Sequence, residues 1–179
     1  MSRPLLLFEP HDQFLQRQKK LKEIQQLGHD PYPHRFDATH TVAEIVERHG
    51  NTSADKLAVE QHRVRVAGRL LGYRIHGKAG FADLHAASAR LQGYFRRDQL
   101  GEKGFELYKL LDLGDVIGVE GRLGRTKTGE LTVFAEQLTL LAKALLPLPE
   151  KWHGLADLEQ RYRQRYLDLI VNPGVREIF

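Results

Sequence analysis

The hydrophobic pattern of this 179-residue chain changes period near residue 64, and no other feature constrains the fold as strongly. Before that point apolar residues recur at helical spacing. Over residues 64–70 they alternate with polar or small residues, as in a strand with one buried face. Gly68 and Gly72 lie in or beside this segment, and glycine within a strand indicates a bulge or strong curvature. The centre of the chain is therefore predicted to be a curved β-sheet.

The segments that follow predict the rest of this sheet. They are strands over 80–84 and 90–96, a helix over 102–111, and strands over 115–125 and 130–141, with glycines at 118 and 121. Three strands, one helix and two strands predict a mainly β fold with helices, the five-stranded Greek-key barrel called the OB-fold. An open α+β sheet is the alternative. Closure is favoured because strong coiling needs glycine kinks.

The two ends of the chain have a different pattern from the barrel. Before the barrel, helices are predicted from Asp12 to a stop at Gly28, and over 42–49 between Thr41 and Gly50. After it, prolines mark a linker, and one helix is predicted from a cap at Asp157 until Asn172-Pro173, with an exposed apolar stripe that needs a partner surface. The predicted divisions are an N-terminal helical extension (1–60), the OB-fold domain (61–145), and a linker with the start of a further domain (146–179).

Composition excludes several classes of function. The chain has no cysteine, which excludes disulfides, thiolate metal sites and thiol nucleophiles. Its nine histidines show no close pair at helical spacing, so we expect no metal site. No run of apolar residues is long enough to span a bilayer or to form a secretory signal, so we expect no membrane partner and a cytoplasmic location.

Positive charge is concentrated in one sector of the chain. Residues 63–97 carry eight Lys and Arg against the single acid Asp83, a local charge of +7 within a chain whose net charge is +4. A polyanion would select such a sector, because its phosphates exchange counterions for basic side chains. Arg65, Arg69 and Lys78 are predicted to contact phosphates. The alternative is a solvated face that only promotes solubility.

Strand alternation identifies which side chains point away from the barrel interior. The predicted outward residues are Phe81 and Asp83 in the second strand, Arg90, Gln92, Tyr94 and Arg96 in the third, and Glu130, Thr132 and Phe134 in the fifth. An outward aromatic ring beside amide and carboxylate groups suits a single-stranded nucleic acid, since the ring stacks on a base while Gln92 and Glu130 bond its edge. Alternatively, Phe81 packs under a loop or under the N-terminal helices.

Six short segments resemble a known family in the same order along the chain. They read HGKAGF (76–81), RLQ (90–92), LDLGD (111–115), TKTGEL (126–131), PLPEKWHG (147–154) and RYRQRYLDLI (161–170). Together they are similar to the amino-terminal third of class II lysyl-tRNA synthetases, and the similarity extends from about residue 17 to the end of the chain. In one place the pattern differs, because the turn over 85–89 lacks the acidic residue and the glycine usual in the family.

The resemblance implies an anticodon-binding OB-fold domain that recognises a tRNA with the uridine-rich lysine anticodon. It implies that Phe81 stacks on the central base, that Gln92 and Glu130 read base edges, and that Arg74 assists. The parent enzyme would be a homodimer, joined through the OB domain and linker, that ligates lysine to tRNA with ATP and magnesium. The class II ATP-binding motifs are absent here, so this chain alone is expected to bind no cofactor and to have no ligase activity.

Two other functions remain open at this stage. One is a standalone OB-fold protein that binds single strands without sequence preference, and the other is a dimerisation module without ligase activity. A stacking ring alone does not discriminate bases, whereas the edge-reading Gln92 and Glu130 do. Base selectivity therefore separates the first alternative from anticodon recognition.

Overall fold

The computed structural model describes residues 12–148 and 158–178. Its elements are α1 (Asp12–Gln26), α2 (Val42–His49), α3 (Ala54–Glu60), β1 (Arg63–His76), β2 (Ala79–Ala86), β3 (Ala89–Arg96), α4 (Arg97–Leu110), β4 (Val116–Arg125), β5 (Leu131–Ala142), α5 (Leu158–Arg163), α6 (Arg165–Val171) and α7 (Pro173–Ile178). No helix within these residues has both the length and the apolar character needed to cross a membrane.

The five strands form a closed barrel in the order β1-β2-β3-β5-β4. Neighbours are antiparallel except β3 and β5, which are parallel and join through four residue pairs. The long strand β1 pairs with β4 along its first half and with β2 along its second, and the register shifts between Leu70 and Gly72. This bulge bends β1 from one neighbour to the other, as its glycines predict. The predicted OB-fold barrel is confirmed.

The barrel interior contains the residues that alternation places inside. Side chains at most 9% exposed include the predicted inward residues Ala82, Leu84, Leu91, Phe95, Leu131 and Val133. Helix α4 closes one end of the barrel with Phe105 and Tyr108, and the Tyr108 ring stacks on Phe95 with centroids 4.6 Å apart. Burying each large apolar side chain contributes about 1.5–3 kcal/mol, so this core supplies the main driving force for closure.

The N-terminal extension has one more helix than predicted. Helix α2 has the predicted bounds, with a capping box between Thr41 and Glu44. Helix α3 was not predicted, because seven residues are too few to show a clear apolar stripe. Its local signal is Ser53, whose hydroxyl accepts a hydrogen bond from the backbone N–H of Lys56.

A buried cluster of charges joins α1 to the base of the barrel. We call Lys20, Asp112, Asp115 and Lys143 the ionic anchor. Lys143 Nζ lies 2.7 Å from Asp112 Oδ2 and 2.9 Å from Asp115 Oδ2, and the Lys143 and Asp115 side chains are 0% exposed. Lys20 Nζ, on α1, lies 2.6 Å from Asp112 Oδ1. Burial alone would raise the pKa of Asp112, but hydrogen bonds from Lys143 and Lys20 outweigh it and hold that pKa below its ordinary value.

The carboxyl-terminal segment corrects one prediction. The single helix expected up to Asn172-Pro173 is divided into α5 and α6 at Gln164, whose backbone leaves the helical region at φ −120° and ψ 54°. Asn172 does end α6, but helix α7 then begins at Pro173, because a proline lacks only an N–H that is unbonded at the first helical position. The expected cap at Asp157 and most of the 147–154 segment lie outside the described residues.

Candidate nucleic-acid interface

Three aromatic rings form a row across the outer face of β2, β3 and β5. Phe81 pairs in register with Tyr94, and Tyr94 pairs with Phe134. The Phe81 and Tyr94 rings stack with centroids 4.6 Å apart and planes 26° apart, while Tyr94 meets Phe134 edge to face at 5.7 Å. All three side chains are partly exposed. This aromatic row confirms that Phe81 points away from the barrel interior.

A polar row lies beside the aromatic row, two residues along each strand. Asp83 pairs with Gln92, and Gln92 pairs with Thr132. Thr132 Oγ1 lies 3.0 Å from both Gln92 Oε1 and the Glu130 carbonyl oxygen. Thr132 points to the outer face, as predicted, but it is 0% exposed, because its short side chain is enclosed between these two partners. Thr132 therefore orients Gln92 instead of offering its own hydroxyl to a ligand.

Arg90 joins the polar row to Glu130. Its Nη1 lies 3.2 Å from Asp83 Oδ1, and its Nη2 contacts Glu130 Oε1. We call this arrangement the Arg90 clamp. It brings Glu130, from the hairpin between β4 and β5, to the same face as Gln92. The Arg90 and Glu130 side chains are 45% and 41% exposed, so water screens the pair and a ligand displaces it at little cost.

The turn that departs from the family pattern keeps the strands in register. Ala86 pairs with Ala89 and His85 with Arg90, which leaves Ala87 and Ser88 as the turn residues. Ala87 adopts φ 50°, a left-handed conformation in which glycine is favoured over alanine. Alanine at this position therefore places local strain in the turn, while Arg90 and Gln92 remain in register with β2.

Tyr108 supports the start of the interface from inside the barrel. Its hydroxyl lies 3.0 Å from the Phe81 carbonyl oxygen and 3.1 Å from that of Arg74. Arg74 is exposed and pairs directly with Phe81. Burial raises the pKa of Tyr108, so the phenol stays protonated as a donor at physiological pH. Sequence patterns place Tyr108 on the apolar stripe of a helix, but they do not reveal these backbone contacts.

The three residues predicted to contact phosphates lie in different surroundings. Arg65 and Arg69 occupy the first half of β1: the Arg65 guanidinium lies 4.4 Å from the centroid of the Phe36 ring, and Arg69 donates to the Gly114 carbonyl at 2.8 Å. Lys78 is exposed in the turn between β1 and β2 and lines a shallow groove with Arg96 and Arg97. Lys78 and Arg74 therefore lie at the Phe81 end of the interface, whereas Arg65 and Arg69 contact other parts of the chain.

Comparison with known proteins agrees with this geometry. Residues 64–141 match the family model of the OB-fold nucleic acid binding domain. The chain is 48% identical over 164 residues to the lysine–tRNA ligase of Anaeromyxobacter dehalogenans strain 2CP-C, which covers 92% of this chain and 32% of that protein. It is related to the amino-terminal, anticodon-binding part of lysyl-tRNA synthetases. The lysine–tRNA ligase of Moorella thermoacetica is 52% identical over 163 residues, or 91% of this chain and 32% of that protein.

The chain thus spans about a third of the length of the lysyl-tRNA synthetases it matches. The similarity extends beyond the barrel, since the Staphylococcus epidermidis lysine–tRNA ligase is 47% identical over 173 residues, 96% of this chain. In the present chain, Phe81, Gln92 and Glu130 share one face. Strand alternation already predicts that Tyr94, Phe134 and Arg90 point away from the barrel interior, but no binding role is predicted for them from the sequence.

Proposed function

We propose that the outer face of β2, β3 and β5 binds the unpaired anticodon bases of a tRNA that carries the lysine anticodon. One observation supports the proposal most strongly: Phe81, Gln92 and Glu130, which lie up to 49 positions apart in the sequence, share one face of the barrel. Each is held by a neighbour on that face: Phe81 by Tyr94, Gln92 by Thr132 and Glu130 by Arg90. A stacking ring with an amide and a carboxylate beside it is the arrangement that reads unpaired bases.

The chemistry of these groups favours uridine. The pairing edge of uracil presents one N–H donor between two carbonyl acceptors. The Glu130 carboxylate accepts from the N–H, and the Gln92 amide donates to a carbonyl. When a base arrives, the solvent-screened contact from Arg90 to Glu130 is exchanged for the contact with the base, and Asp83 retains Arg90 nearby. Cytosine has an unprotonated N3 acceptor in place of that N–H and an amino donor in place of one carbonyl, so its donors and acceptors no longer match the positions of Glu130 and Gln92.

The charged residues around this face supply affinity without base selectivity. Arg74 and Lys78 lie exposed beside Phe81 and contact the phosphates that flank the stacked base. Arg65 and Arg69 extend the positive potential along β1 and add longer-range attraction. Because phosphate contacts release counterions, we expect affinity to fall with rising salt concentration while base selectivity persists.

The names of the relatives extend this proposal to a larger reaction. We propose that the chain provides the tRNA-recognition part of a lysine–tRNA ligation, which takes place in the cytoplasm. The ATP and magnesium that the family resemblance implies for that reaction enter no step of this proposal.

The test is a binding titration of the 179-residue chain. One RNA is a stem-loop with the lysine anticodon, and the second has cytidine in place of the central uridine, at the same salt concentration. We expect about tenfold weaker binding to the second RNA, since one edge contact is lost. Equal affinity for both would refute the proposal and favour a single-strand binder without base preference.

The exposed apolar residues of the carboxyl-terminal helices support a second proposal, that the chain self-associates. Leu158, Tyr162 and Tyr166 are 61%, 70% and 56% exposed on α5 and α6. Light scattering at rising concentration tests this, with Tyr162→Ser as the disrupting variant. A dimer that weakens in Tyr162→Ser but persists in Phe81→Leu supports the proposal, and a monomer at every concentration refutes it.

A further inference from the structure

The aromatic row continues into a groove that anticodon-base recognition at Phe81 does not use. This groove has a volume of about 580 Å³ and lies between α3 and the strands β4 and β5. Tyr94 and Phe134 of the aromatic row line it together with Leu57 and Ala58 of α3. Its volume is within the range of sites that bind small ligands in proteins.

The Phe134 ring is seated in this groove by a glycine of the neighbouring strand. A Cβ atom on Gly124 would lie 2.8 Å from the Phe134 ring, so only glycine at that position lets the ring rest against β4. The opposite edge of the ring contacts Tyr94, at a centroid distance of 5.7 Å and an angle of 84°. Phe134 therefore holds a defined place in the lining of the groove and remains partly exposed.

The charge of the groove favours an anionic occupant. Arg96, Arg122 and Arg125 line it against two carboxylates, Asp55 and Glu136. Glu136 engages Nε of Arg122 at 2.9 Å, and the Arg122 side chain remains 51% exposed. A guanidinium has five N–H donors, so this one bond leaves Arg122 with capacity for a phosphate.

Arg125 adds a positive charge that backbone carbonyl groups hold in a fixed position. It donates to the carbonyl oxygens of Thr52, Gly50, His49 and Gly129, with the Thr52 contact at 2.7 Å. These acceptors are neutral, so the hydrogen bonds fix the guanidinium in place without cancelling its charge. The same bonds tie the loop before α3 to β4, which keeps the α3 wall of the groove in position.

We propose that this groove binds the nucleotide that neighbours the Phe81-stacked base on the same RNA strand. Its base packs against Phe134 and the exposed edge of Tyr94, and its phosphate contacts Arg122. The inference rests on the proposed function, because it needs an RNA strand that already crosses the aromatic row. It assigns to Phe134 and Arg122 a binding role separate from that of Phe81, Gln92 and Glu130.

The experiment combines variants of the chain with abasic substitutions in the RNA. Stem-loops with the lysine anticodon are prepared with one base removed at each unpaired position in turn, and their affinities are measured by fluorescence anisotropy. For the wild-type chain we expect two sensitive positions, the base on Phe81 and its neighbour, each losing about tenfold in affinity when removed. In Phe134→Leu we expect intact RNA to bind about tenfold more weakly, and removal of the neighbouring base to have no further effect.

Two further variants guard against an indirect effect of Phe134→Leu. Gly124→Ala moves the Phe134 ring without deleting it and should give the same pattern of abasic sensitivity. Arg122→Gln should weaken binding to intact RNA and reduce its salt dependence. Arg35→Gln and Tyr32→Leu are matched controls in the N-terminal extension: Arg35 pairs with Asp37 two residues away, and Tyr32 is an exposed ring. Neither control should change the abasic profile.

The outcomes separate this inference from the function on which it rests. If Phe134→Leu leaves the sensitivity at the neighbouring base unchanged while Phe81→Leu removes the sensitivity at its own base, the groove does not bind the neighbour and anticodon binding stands. If the wild-type chain shows no sensitive position at all, the proposed function itself fails. Unfolding temperatures of all variants are measured alongside, so that a loss of fold is distinguished from a loss of contact.

Discussion

The ionic anchor and the Arg90 clamp place one cation between two carboxylates in very different surroundings. In the anchor, Lys143 lies between Asp112 and Asp115 with its side chain fully enclosed. In the clamp, Arg90 lies between Asp83 and Glu130 and is nearly half exposed. A buried charge without its partner is costly, whereas an exposed one is solvated by water. Burial, more than the pairing itself, therefore decides whether such a cluster stabilises the fold or remains free to exchange partners with a ligand.

The strongest test of this comparison removes the central cation from each cluster. Lys143→Met leaves the enclosed carboxylate of Asp115 without its cation, while Asp112 keeps Lys20, and it should lower the free energy of unfolding by about 3–5 kcal/mol. Arg90→Met, the matched change at the surface, should cost less than about 1 kcal/mol. Urea unfolding measures both. Similar losses for the two variants would contradict the contrast between the clusters.

The next largest effect concerns binding at the exposed face. Phe81→Leu should lose about 1–3 kcal/mol of binding free energy for the anticodon stem-loop, since the stacked ring is removed. Its unfolding temperature should stay close to that of the wild type, because the Phe81 ring lies outside the barrel and its ring contact is with Tyr94. Calorimetric titration and thermal unfolding give the two numbers. A sharp drop in unfolding temperature would assign Phe81 to the core.

A smaller effect appears as a pH dependence of stability. The pKa of Asp112 is held below its ordinary value in the folded chain, so its contribution to stability is present above the unfolded pKa of about 4 and is lost as pH falls through the folded value. The wild type should therefore lose more stability than Asp112→Asn on acidification from neutral pH. Thermal unfolding of both proteins across this pH series tests the sign. Parallel curves would show that Asp112 does not contribute.

The smallest expected effect concerns the turn between β2 and β3, which precedes Arg90. Ala87→Gly relieves a left-handed residue and should raise the free energy of unfolding by about 0.5–1 kcal/mol, because glycine adopts this conformation without steric cost. Chemical unfolding measures the gain. Ser88→Gly, at the other turn residue, is the control and should not stabilise the chain. A loss of stability in Ala87→Gly would show that the turn is unstrained.

Local sequence patterns predict the barrel and which side chains of each strand point outward, but they do not predict which side chains contact each other across strands. Alternation places Phe81, Gln92 and Glu130 outside, because each strand has one buried face. The contacts of Arg90 and Thr132 depend on the pairing of β2, β3 and β5, which brings together residues 40 positions apart. Lys143 is the strongest case, since lysine is almost always exposed and no sequence signal marks one as enclosed. Helix α3 is missed for a different reason, its short length.

The parallel junction of β3 and β5 has a consequence for how the chain becomes competent to bind. It comprises four residue pairs, against ten between β4 and β5, and both the aromatic and the polar row cross it. The outer face that carries both rows therefore forms only when β3 pairs with β5 and the barrel closes. Before closure, the residues of β3 and those of β5 are separate. If RNA binds across this junction as proposed, it should hold β3 against β5 and slow hydrogen exchange of the Gln92 to Phe95 amides more than that of other amides.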